Sequence, residues 1–102
     1  MTPPAVKAPP VTERQFLRQV IDLARVSRWK TYHTQLSKWS EAGWPDLALL
    51  RRPRLVLAEL KSDKGKLTLA QQEWVDELAA CGGFEVYVWR PADLEEIARI
   101  LR

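Results

Sequence analysis

The sequence predicts an α/β domain: a mixed four-stranded sheet flanked by helices, in the order α-β-β-β-α-β-α. Three observations carry this. Apolar residues recur at helical spacing around Phe16 to Ala24, Trp74 to Ala79 and Leu94 to Leu101. Short stretches rich in β-branched and aromatic residues lie between them, punctuated by Pro, Gly and Arg turns. One helix falls between the third and fourth strands, which calls for a crossover and a parallel pairing there.

Each element has its own signals. Residues 1–11 hold four prolines and no hydrophobic periodicity, so they read as a flexible leader to a single domain over residues 12–102. Thr12 and Gln15 have capping-box spacing, with Val11 and Phe16 as a hydrophobic staple around them. Phe16, Leu17, Val20, Ile21 and Ala24 form the apolar stripe of the helix that follows, expected to end near Arg28. Trp29 to Thr34 alternates large and polar residues and reads as the first strand. Gln35 to Trp44 is a polar loop. Asp46 to Leu50 and Leu55 to Lys61 are the second and third strands, joined as an antiparallel hairpin by Arg51 to Arg54 around Pro53. Ser62 to Lys66 is a charged loop. Thr68 to Ala80 is a second helix with its own Thr-x-x-Gln cap at Thr68 and Gln71. Its expected buried side is Trp74, Val75, Leu78 and Ala79, and Gly82-Gly83 stops it. Phe84 to Trp89 is the fourth strand, and Pro91 starts a last helix that turns Leu94, Ile97, Ala98 and Leu101 inward.

Composition narrows the class. A chain of 102 residues supports one core. With 46% hydrophobic and 28% charged residues it is not a disordered polyelectrolyte. A single cysteine, Cys81, excludes an internal disulfide; it reads as an inert, partly buried thiol in a cytoplasmic setting. No apolar run has membrane-spanning length. The net charge of +3 hides an asymmetry. Residues 12–66 hold 12 Lys/Arg against 6 Asp/Glu, whereas residues 67–102 hold 3 against 7. Segregation of this kind creates a positive face that can meet a polyanion.

Chemistry concentrates at the end of the third strand. In Glu59-Leu60-Lys61 the two charged residues share a strand face with Leu55 and Leu57. Asp46 opens the second strand after Gly43-Trp44-Pro45. A hairpin with Pro53 at the first central turn position pairs Asp46 with Lys61 and Ala48 with Glu59. A tighter turn on Arg52 and Pro53, with proline at its disfavoured second central position, pairs Asp46 with Glu59 directly, and a three-residue loop without a bulge breaks the arrangement. Either register gathers Asp46, Glu59 and Lys61 on one face. Two carboxylates and a lysine suit metal-assisted phosphodiester hydrolysis: the carboxylates hold Mg²⁺ or Mn²⁺, and the lysine positions water or stabilises developing charge. An ordinary strand-edge salt bridge is the structural alternative.

Gly43-Trp44-Pro45-Asp46, Ala58-Glu59-Leu60-Lys61, Gly65 and Gln71-x-x-Trp74 together resemble the virus-type replication-repair nuclease domain, VRR-NUC, of the PD-(D/E)XK nuclease superfamily. The resemblance runs from about Glu13 to the C-terminus and is closest to small stand-alone phage and bacterial members. It implies a restriction-endonuclease-like core and Mg²⁺- or Mn²⁺-dependent cleavage of structured or branched DNA by a Holliday-junction-resolvase-like homodimer in a bacterial or phage-infected cytoplasm. It also implies roles: Asp46 and Glu59 as metal ligands, Glu13 as an acid that completes the site, Lys61 as the catalytic lysine, and Gln71 as a site residue. Glu13 equally suits the first turn of a helix, where the macrodipole favours an acid, and Gln71 equally suits a cap. Alternative readings are a non-catalytic nucleic-acid-binding module, or a nuclease subunit active only with a replication or repair partner.

Several other residues are candidates for DNA contact. Lys64 and Lys66 flank the loop after Lys61, and Arg51, Arg52 and Arg54 cluster at the hairpin tip. His33 falls on the first strand, where a substrate role competes with a structural one. Trp74 and Trp89 read as core. Trp39 and Trp44 read as residues that stack on bases or pack in a dimer interface.

Overall fold

A computed structural model describes residues 10–34 and 41–102. The order is α1 (Glu13–Val26), β1 (Lys30–His33), β2 (Leu47–Arg51), β3 (Arg54–Leu60), α2 (Leu69–Cys81), β4 (Glu85–Trp89) and α3 (Leu94–Leu101), the last preceded by a 3₁₀ turn at Pro91–Asp93. Among the described residues the strands form one sheet in the order β1-β2-β3-β4. β1, β2 and β3 are antiparallel neighbours, and β4 runs parallel to β3 after the α2 crossover. The α/β class, the element order and the mixed sheet are those expected.

The core lies on one side of the sheet. Phe16, Val20 and Ala24 of α1 and Ile97 and Leu101 of α3 pack on Leu47, Leu49, Val56, Ala58 and Leu60, with Trp29 and Trp89 at the margins. Leu57 and Glu59 are buried on the opposite face, as strand alternation requires. Coverage there is thinner: α2 packs mainly on β4 and has no buried residue. Its expected inner side is therefore only half-covered at Trp74, Val75 and Leu78, and Ala79 is exposed. The physical reason is placement, since a helix lying over an edge strand covers little of the sheet and buries little of itself.

The hairpin takes the tighter register. Arg51 pairs with Arg54 and Leu47 with Ala58, so Asp46, one residue before the ladder, comes opposite Glu59. The two turn residues are Arg52 and Pro53, joined by a cis peptide bond.

The far end of the molecule is locked by this hairpin. Trp29 is buried and its Nε1 donates to the Leu101 carbonyl at 2.8 Å. The Arg51 and Arg54 guanidinium groups stack on its ring at 4.6 and 5.0 Å from the centroid. Arg51 also donates to the carbonyls of Ser27, Leu101 and Arg102, closing the C-terminal ends of α1 and α3, where a cation meets the negative end of each helix dipole. Arg54 donates to the Ile100 carbonyl and forms a bidentate pair with Glu85. That pair, with Tyr87 donating to Glu85, holds the Glu85 carboxyl below its ordinary range. Arg51 and Arg54 thus serve as structural cations that tie the hairpin to the ends of α1 and α3.

Candidate active site

The other end of the sheet gathers most of the candidate residues. There the ends of β1 and β3 meet the start of β2, and the N-terminus of α1 closes over them. A cavity of about 250 Å³ is lined by Glu13, Arg14, Leu17, His33, Thr34, Asp46 and Leu60.

Asp46 is fixed from three directions. Its Oδ2 accepts from the Leu60 backbone N–H at 2.9 Å, and its carbonyl accepts from the Thr34 N–H at 2.8 Å. The approach through Gly43, Trp44 and Pro45 is fixed by a backbone contact. Gly43 has φ +92°, and a Cβ there would lie 2.5 to 2.8 Å from the backbone of Ala70 and Gln71 in the first turn of α2. Only glycine permits that approach. Trp44 then meets Trp74 edge-on at 5.1 Å between centroids, and the Trp74 Nε1 donates to the Ala42 carbonyl at 3.0 Å. The Gly-Trp-Pro-Asp motif is therefore a clip onto α2 that delivers Asp46 to the strand end.

Glu59 is 2% exposed, and its Oε2 is buried with no hydrogen-bond partner. Burial, and then repulsion from Asp46, push its carboxyl up to about 8, and Lys61 opposes the shift. A buried orphan oxygen beside a second carboxylate is a donor set for a hard divalent cation, which would satisfy the oxygen and relieve the repulsion. Lys61 follows at the strand end, its N–H bonded to the Trp89 carbonyl at 3.0 Å.

The remaining candidates divide by position. Glu13 and His33 line the same cavity as Asp46. Among the described residues no three Asp, Glu, His or Cys side chains converge to hold a metal ion, so Glu13 stands apart from the Asp46–Glu59 pair. The Gln71 Oε1 accepts from the Thr68 N–H at 2.8 Å in a complete capping box, so the carbonyl oxygen serves the helix. The cap uses the carbonyl oxygen and not the amide nitrogen of this side chain. Lys64 and Lys66 are exposed on the loop after Lys61. Arg52 is exposed at the hairpin tip, at the opposite end of the strands from Asp46. Trp39 lies outside the described residues.

Two arginines that sequence reasoning passed over also stand at this end of the sheet. Arg90 donates to the Ser62 and Gly65 carbonyls at 2.6 Å, and Asp63 accepts from the Ala92 N–H. The loop carrying Lys64 and Lys66 is thereby tied to the end of β4. Arg14 lines the Asp46 cavity. Neither had a local signal beyond its charge.

The fold and this cluster define an α/β domain with two carboxylates and a lysine at one end of a mixed sheet. The VRR-NUC domain model matches residues 5–93, and the chain belongs to that nuclease family. A solved structure titled "VRR_NUC domain protein" has the same fold, with a TM-score of 0.68 at 24% identity over 90% of this chain and 87% of that one. A comparison with curated proteins gives no match. Among the described residues no helix is long and apolar enough to cross a membrane.

Proposed function

We propose that the chain is a Mg²⁺- or Mn²⁺-dependent DNA endonuclease that acts on structured or branched DNA, in the manner of a Holliday-junction resolvase. The observation that carries this reading is the orphan Oε2 of Glu59, buried beside Asp46 where β2 and β3 meet.

Asp46 and Glu59 would hold the cation, which when bound supplies a Lewis acid and a local positive charge. The chain's own groups do the rest. The Leu60 N–H orients the Asp46 carboxylate. Lys61 faces the Glu59 carboxylate electrostatically and stabilises negative charge that develops on the phosphate. Glu13 and His33 line the cavity that would receive the strand. Lys64 and Lys66 stand on a braced loop, suited to holding flanking phosphates.

A homodimer is part of the proposal, because two opposed strands of a four-way junction need two sites. Support comes from the sheet face opposite the core, where Tyr32, Leu50 and Leu55 are 67%, 42% and 36% exposed. Sedimentation of the full chain with and without junction DNA tests it: a two-fold mass is expected, and a monomer on the junction refutes it.

Cleavage of a four-way junction, a flap and a plain duplex with Mg²⁺ or Mn²⁺ tests the activity. The junction is expected to be cut fastest, and Asp46→Ala and Lys61→Ala are expected to abolish cutting. Full activity in both variants would refute the mechanism.

A further inference from the structure

The Asp46 cavity does not end at the site. Arg14 lines it and also lines a second, larger groove of about 550 Å³ with Pro10, Val11, Gln15, Arg18 and Gln19. One guanidinium therefore stands at the junction of the two. Arg14 and Arg18 are four residues apart on α1, on one face and both exposed. Their spacing along the axis is about 6 Å at the helical rise of roughly 1.5 Å per residue, close to the step between neighbouring phosphates of a nucleic-acid strand. Gln15 and Gln19 line the same groove and add neutral donors. The next residue on the stripe is Asp22, which is exposed and reverses the charge.

We propose that Arg14 and Arg18 form a two-phosphate track that carries one DNA strand away from the Asp46–Glu59 site along the exposed flank of α1. The inference rests on the nuclease reading and extends it by direction and length. The strand leaves the cavity past Arg14, and its next phosphate meets Arg18. Glu13 lies in the same turn but lines only the first cavity, so it faces the site and not the track. Guanidinium groups suit this task because their fork matches phosphate oxygens.

The test is the salt dependence of junction binding by the full chain in a Glu59→Gln background, which blocks cutting. Each phosphate neutralised adds about 0.7 to 0.9 to the slope of log affinity against log salt. The double change Arg14→Gln and Arg18→Gln should therefore lower the slope by about 1.4 to 1.8. Arg99→Gln, which removes one charge from α3, should leave it unchanged. Both track residues are exposed and glutamine is a good helix former, so thermal melts should match the background and show that folding is intact. An unchanged slope in the double variant overturns the track and leaves the nuclease reading standing. Failure of the background chain to bind DNA at any salt overturns both. Replacing single phosphates by methylphosphonates gives a second readout: neutralising two consecutive phosphates on one side of the cut should weaken the background chain and not the double variant. A uniform effect on both proteins overturns the assignment.

Discussion

Glu59→Gln isolates the energetic effect of the buried carboxylate. Its carboxyl titrates at about 8 in the folded chain against an ordinary value of 4.5, so between those values the folded state binds more protons than the unfolded one. The stability tied to this group is therefore complete below the unfolded value and is lost as pH rises through about 8. Once ionised, the group leaves Oε2 buried without a partner next to Asp46. An unsatisfied buried polar group costs about 1–3 kcal/mol. Glutamine removes the charge at nearly the same volume and offers Asp46 an amide donor. In EDTA at about pH 9 the variant should thus be more stable than the parent by roughly 2 kcal/mol, or about 10 °C in Tm for a domain of this size. At about pH 5 the two should melt together, because the parent carboxyl is then protonated in the folded chain. Circular-dichroism melts across that pH range measure the difference. Saturating Mg²⁺ should raise the parent's Tm at high pH and leave the variant's unchanged. An equal loss of stability in the variant at both pH values would refute the reasoning, since it would mean that the native carboxylate is charged and fully satisfied.

Gly43→Ala should destabilise by about 2 kcal/mol or more in urea titration and depress cleavage, because the added Cβ meets the backbone of Ala70 and Gln71 at a φ that L side chains resist. Arg51→Ala and Arg54→Ala should each lower stability by about 1–3 kcal/mol, with little change in DNA affinity measured on the same preparations. The Arg54→Ala deficit should shrink as pH falls, since Glu85, held below its ordinary range, contributes only while ionised. Thr68→Ala removes the α2 cap and should cost about 1 kcal/mol, read by denaturant titration. It should also speed amide exchange in α2 more than in α1.

Most of the fold was legible because it is written in local patterns. Both Thr-x-x-Gln caps form complete capping boxes, and Gly82 ends α2 with φ +71°. The hairpin register was not fixed by pattern, because Pro53 suits the first central position of a turn, whereas the ladder places it at the second. The site was legible where its members are neighbours in sequence or across a hairpin: Asp46, Glu59 and Lys61 come together, and Glu13 and His33 reach the adjoining cavity. The structural bonds of Arg51 and Arg54 were not legible, because charge at a turn says nothing about helix ends that arrive from elsewhere in the chain. The roles of Arg90 and Arg14 depend on contacts more than 20 residues away, beyond any local signal.

The uneven covering of the two sheet faces has a dynamic consequence. α1 and α3 are anchored by five fully buried side chains, Phe16, Val20, Ala24, Ile97 and Leu101, whereas α2 contributes none. Opening α2 exposes little apolar surface, so it belongs to the low-free-energy end of native fluctuations. It is fastened at the site end instead, by its Thr68 cap and the Gly43 clip. Among the described elements α2 is thus the helix least anchored by burial, and its fastening lies at the end that approaches Asp46. Motion of α2 is therefore transmitted to the approach to Asp46 through the Gly43 clip.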